Sequence, residues 1–310
     1  MRRPVVLIKG GGDLASGVAH HAAKAGIGVI ITERAEPTMV RRKVSFGNAV
    51  YEREVEVEGV KAWRRASVKE AFIAVHSGAV AVLVDPTCSS LEFVRPAVLV
   101  DAIMAKKNTG TKIHDAPLVI AVGPGFEAGR DCHAVVESLR GENMGNVLYS
   151  GSAALPTGKP AEINGHSVDR VLRAPAAGVF RGLMDIGESV EAGATVARVG
   201  LRPNTAEPES AGAELGAREG AGSSDEGLSI EVKARIAGVL RGLLADGLAV
   251  GENQKIGDID PTGNRENCFR ISDKAQAVGA GVMDAIRKLA PAIPDNAWVT
   301  LPGPFQRPSE

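Results

Sequence analysis

The chain has 310 residues, a formal net charge of -1, 44% apolar residues and 24% charged residues. So balanced a charge offers no field to draw in nucleic acid or an anionic membrane surface, and the length is about twice the common domain size of roughly 100 to 150 residues. Cys88, Cys132 and Cys268 are scattered with no C-x-x-C pair, which argues against a disulfide framework or a zinc site and fits a reducing cytoplasm.

Arg2-Arg3 ahead of Pro4 has the charge of a signal peptide's start, but the apolar run stops at Lys9, so Val5 to Ile8 reads as a buried first strand. Gly10-Gly11-Gly12 ends it, and from Asp13 the pattern turns helical through Leu14, Val18, Ala22 and Ala25. Val29 to Thr32 follows as a second strand closed by Glu33. Gly10-x-Gly12-x-x-Ala15 therefore has the spacing and the strand-before, helix-after context of a dinucleotide fingerprint. Glycines let the backbone approach a pyrophosphate, the helix start offers free N–H groups, and an acid ending the second strand accepts a ribose hydroxyl. Gly10, Gly12, Asp13, Ala15 and Glu33 are thus candidate cofactor-binding residues. Asp13 at the helix mouth would repel a phosphate, so a purely structural turn stays open. Arg34, Arg41, Arg42 and Lys43 form a basic stretch just beyond, either facing those phosphates or simply solvated.

Ser67 to Glu70 is a capping box opening a helix to His76, and Ala79 to Val84 is a buried strand closed by Asp85-Pro86. Cys88, just after that strand, stands where a thiolate would be favoured, with no base nearby in sequence. Pro96 is expected to open a helix through Val100, Ile103 and Met104, followed by the basic loop Lys106 to Thr111. Pro117 to Val122 is a further strand, and Gly123-Pro124-Gly125-Phe126 ends it in a glycine-rich loop that adds Gly123 and Gly125 to the cofactor-binding candidates. A helix is expected from Asp131 to Leu139, with His133, Glu137 and Arg140 on one face at i, i+4 and i+7. These three are the candidate catalytic residues, against the alternative of an exposed ion pair. The alternation predicts a Rossmann-like, mostly parallel sheet over residues 1-160, with ligands at the C-terminal strand ends.

The second half carries an internal echo: Ala174 to Leu183 and Ala234 to Leu243 share seven of ten residues, each followed by a further Gly-x-x-Val. A single hairpin unit would leave an apolar face bare, so two half-repeats closing on each other are expected over 161-262, interrupted by a flexible insertion at about 202-227. The doubled unit resembles the halves of biotinyl and lipoyl carrier domains, whose carrier lysine has no counterpart between the halves here. The barrel then reads as a docking or structural module, with Arg181 and Arg241 at equivalent points. Asp258 and Asp260 alternate along a strand, and Ser272-Asp273-Lys274 opens a last helix within a C-terminal segment, 263-310.

As a whole the chain resembles the YqeB family, accessory proteins of selenium-dependent molybdenum hydroxylases. The residues that carry this are Lys9 to Gly17, Val100 to Asn108, Gly123 to Phe126 with Asp131 and His133, Arg140-Gly141, and Asp258 to Pro261. The resemblance implies maturation or cofactor handling in the cytoplasm, with a molybdenum hydroxylase as client. The ligand is left open between a nucleotide and a dinucleotide, the candidates being a molybdopterin dinucleotide or an NAD-type one; no metal site, nucleic acid or membrane partner is expected, and homo-oligomerisation is left open. A non-catalytic scaffold and an NAD(P)-dependent oxidoreductase are the alternatives.

Overall fold

The computed structural model describes residues 4–201 and 228–292. The expected insertion and the whole of the tail after 292 lie outside the described residues.

The first half opens with β1 (Val5–Lys9), α1 (Asp13–Lys24) and β2 (Gly28–Glu33), as the switch of apolar period from run to helical spacing requires. After short helical turns and α2 (Ala49–Glu52) come β3 (Glu54–Val57), β4 (Val60–Arg65), α3 (Val68–His76), β5 (Val80–Val84) and α4 (Leu91–Val94). Ser67 caps α3 by accepting from the Glu70 N–H, while Glu70 accepts from the Ala66 N–H. β6 (Val98–Asp101), β7 (Leu118–Val122), β8 (Ala134–Val136) and β9 (Val147–Leu148) complete a nine-stranded sheet of order β3-β4-β5-β2-β1-β6-β7-β8-β9.

The expected Rossmann-like parallel sheet with a biotinyl/lipoyl-like barrel is corrected on both counts. The large sheet is mixed, with β3/β4 and β8/β9 antiparallel at its two edges. Glu58-Gly59, both at positive φ, is all that joins β3 to β4, and a parallel pairing needs a crossover of about a dozen residues or more. Nor does any helix among the described residues link β6 to β7 or β7 to β8. The helix expected from Pro96 is β6, whose Val98-Leu99-Val100 pairs with β1 and β7 and is buried on both faces. The helix expected over 131–139 is the short buried strand β8 followed by turns, because the Ala134-Val135-Val136 run extends the sheet beside β7.

The second half runs β10 (Val171–Arg173), β11 (Gly178–Gly182), β12 (Ser189–Val190), β13 (Thr195–Gly200), β14 (Ser229–Lys233), β15 (Gly238–Leu243), β16 (Ala249–Val250) and β17 (Lys255–Asp260). They make two four-stranded antiparallel half-barrel sheets, β10-β17-β15-β12 and β14-β13-β11-β16. Each copy of the echo keeps one hairpin, β11/β13 or β15/β17, and lends its other two strands to the opposite sheet, so neither copy is a self-contained unit. Their inner faces close over Phe180, Leu240, Leu243 and Ile259.

The last element, α5 (Asp273–Leu289), returns to the first half and lies across α1. Ser272 caps it by accepting from the Ala275 N–H. Its apolar stripe of Ala275, Val278, Val282 and Ile286 joins α1 over one face of the large sheet, and α3 covers part of the other.

Candidate functional site

A cleft of about 880 Å³ opens at the C-terminal ends of β1, β2, β5 and β6. Gly10, Gly12, Asp13, Ala15 and Glu33 all line it, together with Lys9, Asp85 and Met104. Its size lies within the roughly 300 to 1,000 Å³ usual for small-molecule sites.

The glycine turn is built for close approach on two sides. Gly10 has φ +88°, and a Cβ there would meet the backbone of Ile103 at 3.0 Å. Gly11 packs on Gly47, which donates its N–H to the Gly11 carbonyl at 2.8 Å, so the 45–48 segment lies directly over the turn. Ser16 ties the two by donating its hydroxyl to the Gly11 carbonyl and accepting from the Phe46 N–H. Gly12 differs, since no atom lies within 4 Å of where its Cβ would be. It is the N-cap of α1, and no side chain caps that end. The backbone N–H groups of the first turn are therefore free to meet an anion entering the cleft.

The acids answer differently from the fingerprint. Glu33 accepts from the Gly11 N–H and from the Arg34 N–H, each at 2.8 Å, so its carboxylate braces the turn instead of waiting for a ribose. Asp13 stands 3.8 Å from the guanidinium of Arg41, which is only 8% exposed and donates from Nη2 to the carbonyls of Asn267 and Arg270. Burial, and then Arg241 nearby, hold the Arg41 pKa below its ordinary value. Asp85 accepts from the backbone of Ser89 and Ser90; burial alone would raise its pKa, but these bonds hold it low. Three of the cleft's carboxylates are thus already matched by donors or a cation, which lifts much of their opposition to an anionic ligand. The open Gly12 side and the uncapped helix fit the phosphate end of a nucleotide, whereas Glu33 does not fit the ribose role.

Gly123 and Gly125 do not line the cleft. They have φ +76° and +106°, and a Cβ at Gly125 would lie 2.5 Å from the Lys107 Cα, so they pack the β7 end against the loop after β6. His133 and Glu137 lie on either side of the three-residue β8, at opposite ends, so the structure does not bring them together. His133 Nδ1 accepts from the Val119 N–H, and burial lowers its pKa. Glu137 is buried and accepts from the backbone of Leu139 and Ala154. Arg140 instead reaches Asp273 at the start of α5, at 3.6 Å. As for the other candidates, burial pushes the Cys88 thiol up rather than down. Asp258 and Asp260 are separately engaged, the first by Arg170 at 2.7 Å and the second by Thr262 and Asn267. Among the described residues no group of three or more His, Cys, Asp or Glu could hold a metal ion. Nor, among them, is any helix long and apolar enough to cross a membrane.

The sequence gives Lys9 and Asp101 no role at a site and shows Thr111 only as the end of a basic loop, yet the three meet at the ends of β1 and β6. Lys9 Nζ donates to Thr111 Oγ1 at 2.6 Å and lies 3.3 Å from Asp101 Oδ2. A lysine ending a strand just before the glycines was the available signal; reading β6 as a helix hid Asp101.

No family model matches the chain. Among solved structures it is similar to the ectoine utilization protein EutE (DoeB) of Ruegeria pomeroyi, at 10% identity and TM-score 0.24 over 83% of this chain and 85% of that one. An aspartoacylase family protein of Mesorhizobium loti overlaps at 12% identity and TM-score 0.26, over 83% of this chain and 85% of that one. A succinylglutamate desuccinylase/aspartoacylase of Rhodobacter sphaeroides overlaps at 16% identity and TM-score 0.21, over 30% of this chain and 22% of that one. Overlaps this low carry no argument about fold or function here. The sequence likeness is much higher: 44% identity over 285 residues to the uncharacterized protein YqeB of Escherichia coli K12, covering 92% of this chain and 48% of that protein. Over nearly its whole length, then, the chain is similar to YqeB, of which it spans about half.

Proposed function

We propose that this chain is an accessory protein in the maturation or cofactor handling of a selenium-dependent molybdenum hydroxylase. It holds a nucleotide, or the dinucleotide end of the molybdenum cofactor, in the cleft at the start of α1. The observation that carries the site is the open flank of Gly12 at an uncapped helix N-terminus, with Asp13 turned to a buried arginine. The maturation role rests on the resemblance of Lys9 to Gly17 and the other quoted segments to YqeB proteins.

In this reading the chain binds and presents rather than transforms. The first-turn N–H groups of α1 meet the phosphate. Glu33 keeps the turn in shape by holding the Gly11 N–H, and Arg41 offsets the Asp13 charge. The barrel docks the client enzyme, leaving the cleft facing it or the solvent as loading proceeds. Complementation tests this in a host that encodes the hydroxylase but lacks the protein, and with it the hydroxylase activity. The unsubstituted chain should restore hydroxylase activity, and Gly12→Asp, which fills the cradle with a carboxylate, should fail to do so while remaining folded. Equal restoration by both would sink the assignment.

A further inference from the structure

We propose that Lys9 is the phosphoryl-binding cation of the cleft, held in position from behind by Asp101 and Thr111. Lys9 ends β1 at the middle of the large sheet, flanked in register by Thr32 of β2 and Asp101 of β6. It lines the cleft beside Gly10 to Gly12, yet its side chain is only 12% exposed. Lysine is rarely buried so far unless it is paired, and here the pairing is extensive. Thr111, 2% exposed, accepts from Nζ and donates its hydroxyl to Asp101 Oδ2 at 2.6 Å. Asp101, 1% exposed, uses its other oxygen to accept from the Ile103 N–H. Asn108 fixes Thr111 in turn, accepting from its N–H and donating to its carbonyl.

An ammonium has three N–H donors, and the two contacts of Lys9 leave one. Its neighbours on the cleft side are the glycine turn and the start of α1, the two features that favour a phosphate there. A buried ion pair gives little net stability compared with apolar packing of the same volume, so what Asp101 and Thr111 supply is position. The loop that leads from Asp101 to Thr111 is held in an uncommon shape: Met104 and Lys106 adopt φ +62° and +61°, a region disfavoured for such side chains. The cleft's other lining cation, Arg34, is exposed at the rim. Lys9 is thus the cation fixed at the floor.

This inference rests on the cleft being an anion site, and the test separates the two. The probe is inorganic pyrophosphate, followed by its phosphorus resonance as protein is added. Lys9→Met/Asp101→Asn removes both charges and so leaves no unpaired ion in the interior; circular dichroism checks that it folds. Losing a charge-assisted bond should weaken pyrophosphate binding roughly tenfold to a hundredfold, and Lys9→Arg should keep part of the affinity. Unchanged affinity in the folded double variant, with binding lost in Gly12→Asp, would make Lys9 a structural pair only and leave the cleft reading standing. Unchanged affinity in both variants would overturn both. If the unsubstituted chain does not bind pyrophosphate, the Lys9 assignment is wrong, and complementation with Gly12→Asp decides the cleft independently.

Discussion

At the scale of single residues, charge is settled locally before any ligand arrives. Glu33 and Asp13 look from the sequence like a ribose clamp and an obstacle to phosphate. In the fold, one braces Gly11 and the other faces Arg41, which lies 28 residues further along the chain. Neither partnership has a signature in local spacing, so the glycine turn was legible but the work of its acids was not. The cysteines follow the same rule. Burial pushes Cys88 up and Cys132 up to about 12, and it raises Cys268 as well. At pH 8 these thiols should stay protonated and shielded, whereas an ordinary cysteine near pKa 8.5 is partly thiolate. Iodoacetamide labelling of the native chain should therefore be slow at all three and become fast in denaturant. Rapid native labelling of Cys88 would restore it as a candidate nucleophile.

At the scale of elements, what the sequence shows well is the β1–α1–β2 unit, the Ser67 capping box and the long amphipathic α5. Each has a strong period or a side-chain cap. What it hides is short strands inside charged surroundings. His133, Glu137 and Arg140 have helical spacing, but the three residues of β8 between them belong to the sheet. Pro96 looks like a helix start, yet the β-branched run after it fills the slot between β1 and β7. The β3–β4 hairpin was readable in principle, from the alternation of Glu54 to Val57 and the tight Glu58-Gly59 turn. The α1–α5 crossing depends on missing side chains. A Cβ at Gly17 would lie 2.3 Å from the Ala275 carbonyl oxygen, and one at Gly279 2.7 Å from the Gly17 carbonyl oxygen. Gly17→Ala should force the helices apart and cost about 1–3 kcal/mol in a denaturant titration, despite alanine's better helix propensity. A neutral or stabilising result would mean the crossing can relax.

At the scale of the whole molecule, the segment around residues 40–48 joins the barrel to the glycine turn. Leu243 of β15 donates its N–H to the Val40 carbonyl, and Arg42 Nε donates to the Leu243 carbonyl. Arg41 grips the 267–270 backbone while facing Asp13, and Gly47 closes over Gly11. Whatever docks on the barrel is therefore linked to the cleft through one short stretch of chain. Arg41→Ala should cost about 3 kcal/mol or more by leaving two carbonyls and Asp13 without their partner. In calorimetry the unsubstituted chain should melt in one transition, and Arg41→Ala should separate the melting of the two halves.

The central claim, that the cleft at the start of α1 carries a nucleotide-type cofactor, is met most directly by mass spectrometry of the small molecules released from the natively purified protein. Gly12→Asp, purified in parallel, is the control. The account expects a molybdopterin or other dinucleotide species with the unsubstituted chain and none with the variant. An empty protein from cells with an active hydroxylase, or the same molecule recovered from both forms, would contradict it.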